Sequence, residues 1–328
     1  MQDVQTLANV PDHILDIVAH TAKNYVATNT NTLLKGIPAQ EHTAILHNST
    51  HHLVDTPERR DLHRTILQER VAHLPINRPD RPTLLYLAGP MGVGKTTLQE
   101  EFTERYNEEK AGLYLGGYDS PGIEDVYQSF RQIKENLVVS DFQFYKSRLP
   151  EYAASGNQYA LIRAESSGLD VALTQWAKEL NANLILEQRG GRNLSEYVEK
   201  FSKDYNVVLL GVTGDPNLNA QRLAGRNTQT LQVIRAQELA TAICDFSTPG
   251  SFISAAKYAQ LAVLAEAHND GYSTLYHAEF GAELSPTNVP AYNRYEAYSN
   301  VAEADMLARI SPYFAAPSRG PQYPTPEL

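Results

Sequence analysis

The sequence predicts an α/β fold, with a mostly parallel sheet, helices on both of its faces and a helical N-terminal extension. Three observations predict it. Short apolar runs at residues 84–88, 136–140, 182–186 and 207–212 alternate with stretches of helical periodicity. A glycine-rich turn follows the first run, and an acidic residue follows the second and the third. Strands that alternate with helices are typical of parallel sheets, and ligands bind at the carboxyl ends of such strands.

The turn after the first strand carries a phosphate-binding pattern. The segment Gly89-Pro90-Met91-Gly92-Val93-Gly94-Lys95-Thr96 fits G-x-x-x-x-G-K-[ST] in full. Its glycines let several backbone N–H groups face one anion, and the following helix directs its positive end to the same place. Lys95 would reach the β- and γ-phosphates of ATP, and the Thr96 hydroxyl would hold Mg²⁺. The pattern predicts a P-loop NTPase fold. The predicted nucleotide contacts are Gly89, Met91, Gly92, Val93, Gly94, Lys95, Thr96, Thr97 and Arg226.

Composition limits the partners and the location that we expect. The chain has 328 residues, a formal net charge of −10 and a single cysteine, Cys244. An acidic chain is a poor general ligand for nucleic acid or for an anionic membrane, so we expect neither as a partner. One cysteine excludes a disulfide framework and a cysteine-based metal site. No apolar run is long enough to span a bilayer, which favours a cytoplasmic protein or one delivered into another cell without a cleavable signal.

The chain divides into three predicted regions. Residues 1–80 read as a helical extension, with one helix at 10–34 and a second that begins at the N-cap Thr56. Residues 81–315 form the P-loop domain, and the proline-rich residues 316–328 form a disordered tail. Within the domain we expect helices at 123–134, 158–180, 252–268 and 292–310, a short strand at 112–117 and a late strand at 272–280.

Acidic and basic side chains near the strand ends favour small-molecule phosphoryl transfer over a hydrolysing switch or a motor. Asp141 and Glu187 follow two predicted strands, where a kinase needs a base for the accepting hydroxyl and acids near Mg²⁺. Arg222 and Arg226 lie one helical turn apart, and Arg235 follows. Arginines in such a lid neutralise the charge of the transferring phosphoryl group and exclude water.

Several segments resemble the zeta-toxin-type kinases. The P-loop is similar to the T-A-G-P-M-G-A-G-K-S of larger members, and residues 139–152 resemble a D-x-D-x-[FI]-[KR] segment followed by L-P-E-Y. Arg163-Ala164-Glu165 resembles the family's R-x-E. Glu187 resembles its strand-end acid, with Arg189 or Arg192 as the nearby arginine. Arg222 and Arg235 resemble the two arginines that clamp phosphates. The resemblance runs from about Thr56 to Arg235.

The resemblance implies a reaction and a set of roles. The family phosphorylates the 3′-hydroxyl of a nucleotide-linked sugar, usually UDP-N-acetylglucosamine, and related secreted effectors act on NAD. By position, Lys95 and Thr96 bind ATP and Mg²⁺, and Arg222 and Arg235 stabilise the phosphoryl group. The expected acceptor contacts are Glu165, Glu187, Arg189 and Arg192. An antitoxin or chaperone protein is the expected partner, and the N-terminal helices are expected to cover the ATP site as an antitoxin helix does.

The chain departs from the family at the catalytic base. Gln143 stands where the second acid of D-x-D is the base, and glutamine cannot accept a proton. Asp141 or Asp119 must then serve, or the protein does not transfer phosphate. Two alternatives stay open: an ATP-binding protein that acts by protein interaction, and a metabolic kinase of a free nucleoside or sugar.

Overall fold

A computed structural model describes most of the chain. The described residues are 9–33, 39–40, 42–43, 55–72, 74, 79–152, 159–188, 190–191, 193–227, 236–247, 251–269, 271–279, 286–287 and 289–314. They form two compact units, Met1–Pro82 with Glu135–Leu186, and Thr83–Lys134 with Glu187–Leu328. The sequence-based division into residues 1–80, 81–315 and 316–328 stays a prediction, and residues 315–328 lie outside the described part.

Helices and strands alternate along most of the chain. The strands are β1 (Thr83–Ala88), β2 (Leu137–Ser140), β3 (Asn183–Gln188), β4 (Asn206–Gly214), β5 (Leu261–Ala267) and β6 (Tyr272–Glu279). The helices are α1 (Asp12–Leu33), α2 (Pro57–Val71), α3 (Lys95–Lys110), α4 (Pro121–Ile133), α5 (Phe142–Arg148), α6 (Tyr159–Glu179), α7 (Leu194–Ser202), α8 (Pro216–Asn227), α9 (Ala236–Ser247), α10 (Ser251–Ala256), α11 (Val289–Ser299) and α12 (Glu303–Phe314). Two 3₁₀ turns occupy Lys134–Asn136 and Pro150–Tyr152.

In the first unit, helices pack around a pair of parallel strands. Strand β2 pairs with β3 in a register that joins Leu137 to Asn183. Helix α1 packs along α6, and an added Cβ at Gly168 would lie 2.5 Å from the Val18 carbonyl oxygen. The two helices therefore approach so closely that no side chain fits at this position. Helix α2 begins as predicted, because Thr56 accepts a hydrogen bond from the Arg59 N–H.

In the second unit, β1, β4 and β5 are parallel, and β6 pairs antiparallel with β5. Every residue of β4 except Asn206 is buried, as expected for a parallel strand covered on both faces. The carboxyl end of β1 leads directly into the glycine-rich turn and α3. The predicted fold class, mostly parallel strands flanked by helices, is confirmed.

Three predictions about the elements are wrong. Residues 252–268 form the short helix α10 and then β5, because the apolar run at 261–267 is buried between β4 and β6 and burial outweighs the helix preference of alanine. Residues 112–117 form no strand and make no strand pairing in the described structure. In place of the last predicted helix the structure has two helices, α11 and α12, and residues 300–302 separate them. No helix in the described part of the chain is both long and apolar enough to cross a membrane.

Candidate functional site

The turn between β1 and α3 has the backbone shape that phosphate binding requires. Gly89 and Gly94 have φ angles of 151° and 101°, in the region that favours glycine. Gly94 is the N-cap of α3, so the N–H groups of its first turn, which point out of the helix end, follow directly. Val93 is fully buried and Met91 packs into the core formed with α8, α9 and α12. The side chains of the loop therefore anchor it, and its backbone is left for a ligand.

Gly89 makes the closest backbone approach in the loop. An added Cβ there would lie 2.2 Å from the Val212 carbonyl oxygen, whereas a Cβ at Gly225 on α8 would meet nothing within 4 Å. We expect Gly89→Ala to lower the free energy of unfolding by about 1–3 kcal/mol or more, since the clash adds to the strained φ. Gly225→Ala is the matched control and should be neutral or slightly stabilising. Urea unfolding of the two variants checks this, and equal stabilities would contradict it.

Three side chains meet at the end of the P-loop. The Lys95 Nζ donates to the carbonyl oxygens of Gly89 and Pro90 at 2.9 and 3.0 Å, and it lies 3.7 Å from Glu187 Oε1. The Thr96 hydroxyl donates to Glu187 Oε2 at 2.8 Å. Lys95 is buried, while Thr96 is exposed and Glu187 is half-buried. An ammonium, a hydroxyl and a carboxylate thus lie within one short span beside the loop.

Arg222 and Tyr272 flank the start of α3. The Tyr272 hydroxyl donates to the Gly94 carbonyl oxygen at 2.9 Å. Arg222 donates to the His268 carbonyl oxygen at 2.9 Å, and its Nη1 would lie 3.8 Å from a Cβ at Gly94. Arg222 therefore lies beside the start of α3, and its guanidinium is held by the β5–β6 turn. Tyr272 was not anticipated, because no local pattern marks the first residue of a late strand.

In the first unit, Asp141 closes β2 and caps α5. Its Oδ1 accepts from the Gln143 backbone N–H at 2.8 Å, and its Oδ2 lies 3.6 Å from Arg70 Nη2. The carboxylate is 46% exposed, so it stays open to a ligand. The Gln143 side chain donates to the Tyr152 hydroxyl at 2.6 Å. Gln143 therefore holds the end of the Leu-Pro-Glu-Tyr segment.

Glu165 lies in a buried cluster of charges. Arg59 donates to its two oxygens at 2.5 and 2.6 Å, and the His63 imidazole hydrogen-bonds to it as well. The same guanidinium binds both oxygens of Glu151, at 3.0 and 2.8 Å. Burial alone would raise the pKa of Glu165, but the hydrogen bonds from His63 and Arg59 outweigh it and lower that pKa. Sequence reasoning missed Arg59 and His63, which lie 106 and 102 residues away from Glu165.

A second buried carboxylate, Asp170, lies behind β2 and accepts a hydrogen bond from the Ser140 hydroxyl. Burial raises its pKa from an ordinary value near 3.8 to about 6, and the charge of Asp141 adds to this, although the Ser140 bond opposes it. Because the folded state favours the protonated carboxyl, the contribution of Asp170 to stability is fully present below about pH 4. It is lost as the pH rises through about 6 and the buried group becomes charged.

We therefore expect Asp170→Asn to raise the free energy of unfolding at pH 7 by up to about 3 kcal/mol, at about 1.4 kcal/mol per pKa unit. The amide oxygen keeps an acceptor for Ser140. Below about pH 4 the variant and the parent should be equally stable, because Asp170 is then protonated. Thermal unfolding across this pH range checks it, and a variant that is less stable at pH 7 would contradict it.

The remaining predicted residues have varied positions. Asp119 is exposed and precedes α4, and Thr97 is exposed on the first turn of α3. Arg226 is helical, but its side chain lies outside the described part. Arg189, Arg192 and Arg235 also lie outside it. Among the described residues, no group of three or more His, Cys, Asp or Glu side chains could hold a metal ion. Thr96 and Glu187 place two oxygen-bearing side chains together beside the P-loop.

Solved structures with the same fold include chains of the complex AvrRxo1-ORF1:AvrRxo1-ORF2. One, with sulphate ions, is 14% identical, has a TM-score of 0.54, and the match covers 85% of this chain and 90% of that chain. Another, with ATP, is 15% identical with a TM-score of 0.54, over 79% of this chain and 86% of that chain. A chain of the PezAT toxin-antitoxin system of Streptococcus pneumoniae has a TM-score of 0.49 at 13% identity, over 79% and 96%. No protein-family model matches the chain. At these identities, the first two likenesses show a common fold.

Proposed function

We propose that the protein is an ATP-dependent kinase that transfers the γ-phosphate to a hydroxyl of a nucleotide or nucleotide sugar. One observation carries the proposal: Lys95, Thr96 and Glu187 converge beside a glycine-rich loop whose backbone is shaped for phosphate. An ammonium close to an anion-binding loop neutralises the charge that develops on a transferring phosphoryl group. The AvrRxo1 complex with ATP, which shares the fold, supports ATP as the donor.

Each side chain at the loop has a proposed role. Lys95 exchanges its bonds to the Gly89 and Pro90 carbonyl oxygens for bonds to the β- and γ-phosphates, since an ammonium binds phosphate more strongly than a neutral carbonyl. Thr96 and Glu187 hold Mg²⁺, which would neutralise phosphate charge when bound. The family resemblance implies that Glu187 contacts the acceptor, whereas its position at a strand end and its bond to Thr96 favour the metal.

The base of the reaction is proposed from the contacts that Asp141 makes within its own unit. Asp141 is the proposed base, because its carboxylate is partly exposed and one oxygen has no bond shorter than its 3.6 Å contact with Arg70 in the described structure. Asp119 is the alternative. Glu165 is fully buried and both its oxygens are bonded, so we propose that it fixes the position of α6 instead of contacting the acceptor. Arg189, Arg192, Arg226 and Arg235 stay predicted contacts.

Product analysis tests the proposal. The protein is incubated with ATP, Mg²⁺ and a panel that contains UDP-N-acetylglucosamine, NAD and common nucleosides, and the products are read by mass. We expect one acceptor to gain a phosphate, and Asp141→Asn to abolish the gain while ATP still binds. If the protein binds ATP but no member of the panel gains a phosphate, the kinase assignment is wrong.

A second candidate is an ATP-binding protein that acts through a protein partner, such as an antitoxin or chaperone. Gln143 favours it, because this side chain holds Tyr152 and cannot accept a proton. The neighbouring AvrRxo1-ORF1 structures contain a second protein, AvrRxo1-ORF2. Gln143→Asp discriminates between the two candidates: phosphoryl transfer that appears only in this variant would establish the second one.

A further inference from the structure

A cavity of about 640 Å³ lies in the second unit, next to the start of α3. Its walls come from the residues before α4, from β6 and from the start of α11. The lining residues that matter here are Asp119, Ser120, Tyr272, Thr274, His277 and Val289. Cavities of this size hold small molecules such as a sugar or a nucleoside.

The walls of the cavity suit an uncharged ligand that is rich in hydroxyl groups. Its described lining offers hydroxyls, an imidazole and the Asp119 carboxylate, and it contains no lysine or arginine to hold a phosphate. Asp119 is exposed, and a carboxylate can accept hydrogen bonds from two neighbouring hydroxyls at once. Ser120 and Thr274 hydrogen-bond to each other, which leaves lone pairs on both oxygens.

His277 on β6 also lines the cavity and lies close to a carboxylate. His277 Nε2 lies 3.0 Å from Asp125 Oδ2, and His277 is 24% exposed. The lining of the cavity therefore combines the Asp119 carboxylate and the His277 imidazole with the apolar side chain of Val289.

Tyr272 connects this cavity with the phosphate loop. It lines the cavity, and its hydroxyl donates to the carbonyl oxygen of Gly94, the residue that begins α3. Burial, together with the negative charge of Glu101, raises the pKa of Tyr272 to about 12, so its hydroxyl stays a donor at neutral pH. A ligand in the cavity is thus one side chain away from the glycine-rich loop.

We infer that this cavity binds a ribose or a similar uncharged, polyhydroxylated group, with Asp119 as its main acceptor of hydrogen bonds. The inference rests on the proposed function, because the phosphates of the proposed nucleotide would explain why a sugar lies here. The sugar has two sources with the same chemistry. It is either the nucleoside part of the P-loop nucleotide or part of a separate ligand that binds beside that nucleotide.

Filling the cavity from its rim tests the inference. Val289 is 53% exposed, so Val289→Trp places an indole over the opening without removing a hydrogen bond. Val171→Trp, at a 45% exposed valine on α6, is the matched control. ATP, tripolyphosphate, adenosine, uridine and N-acetylglucosamine are titrated into each protein by calorimetry. The last three are titrated again with the P-loop saturated by ADP.

Two results support the inference and identify the source. If Val289→Trp weakens the binding of ATP about tenfold or more and leaves the binding of tripolyphosphate unchanged, the sugar belongs to the P-loop nucleotide. A second result would be that Val289→Trp leaves ATP binding unchanged, that one uncharged probe binds the ADP-saturated parent protein, and that this probe does not bind Val289→Trp. The sugar then belongs to a separate ligand. If every probe binds Val289→Trp as it binds Val171→Trp, the inference is overturned.

Failure of the proposed function is distinguishable from failure of the inference. Tripolyphosphate binding that Lys95→Ala removes establishes the phosphate site independently of the cavity. If neither ATP nor tripolyphosphate binds the parent protein, the proposed function fails, and the uncharged probes alone then decide about the cavity. Thr274→Val, which removes one hydroxyl at constant shape, replaces Val289→Trp if circular dichroism shows that the tryptophan variant does not fold.

Discussion

Lys95→Ala is expected to lower the rate of ATP-dependent phosphoryl transfer by a factor of about 10² or more. The ammonium is buried beside the P-loop, where it already binds two loop carbonyl oxygens and lies 3.7 Å from Glu187. In such a partly desolvated place, a positive charge stabilises the phosphates far more than it would in water. The rate of product formation, measured with saturating ATP and with the acceptor that the panel identifies, checks the prediction.

The control for this prediction is on the same helix. Lys110 is an exposed residue in the last turn of α3, with its Nζ 5.7 Å from the Tyr106 ring. Lys110→Ala removes the same charge at the far end of the helix and should leave the rate within about a factor of three, since surface charges act weakly. A Lys95→Ala protein that retains the parent rate would show that the loop does not take part in the reaction.

Arg59→Leu is expected to lower the free energy of unfolding by about 3–5 kcal/mol, the range found when one partner of a buried ion pair is removed. The guanidinium binds both oxygens of Glu165 and both oxygens of Glu151. Glu165 is fully buried, so without Arg59 only His63, among the residues that the structure describes, remains to compensate its charge. Urea unfolding followed by circular dichroism measures the loss.

The neighbouring arginine is the matched control. Arg60 lies next to Arg59 on α2, is more exposed and binds Asp16 at 2.8 Å on the surface. Arg60→Leu should cost no more than about 1 kcal/mol, as exposed ion pairs do. Adding Glu165→Gln to Arg59→Leu should restore part of the stability, because the uncompensated charge is then gone. Equal losses for Arg59→Leu and Arg60→Leu would contradict the role assigned to the cluster.

Local sequence patterns predicted most of the fold and the phosphate loop. The P-loop is a continuous segment, and residues 206–214 form a strand because nearly all of them are apolar and buried. Residues 261–267 misled the same reasoning, since an alanine-rich run satisfies either a buried strand or a helix. Only its pairing with β4 and β6, which no local pattern contains, decides between the two.

The contacts of the predicted site residues could not be read from the sequence. Glu187 was singled out because it ends a strand, but its contact with Thr96 depends on how elements 91 positions apart in sequence come together. The resemblance predicts that Glu165 contacts the acceptor, and the sequence does not reveal that Arg59 and His63, on another helix, bind it. Partners so far apart leave no periodic signal in a single sequence.

The most direct test of the central claim follows the terminal phosphate of ATP. ATP with an isotope label in its γ-phosphate oxygens is incubated with the protein, Mg²⁺ and the acceptor panel, and the label is traced by mass spectrometry. The kinase assignment predicts that the label enters one organic acceptor, and that Lys95→Ala prevents this. Label that stays in ATP, or appears only in inorganic phosphate, would contradict it.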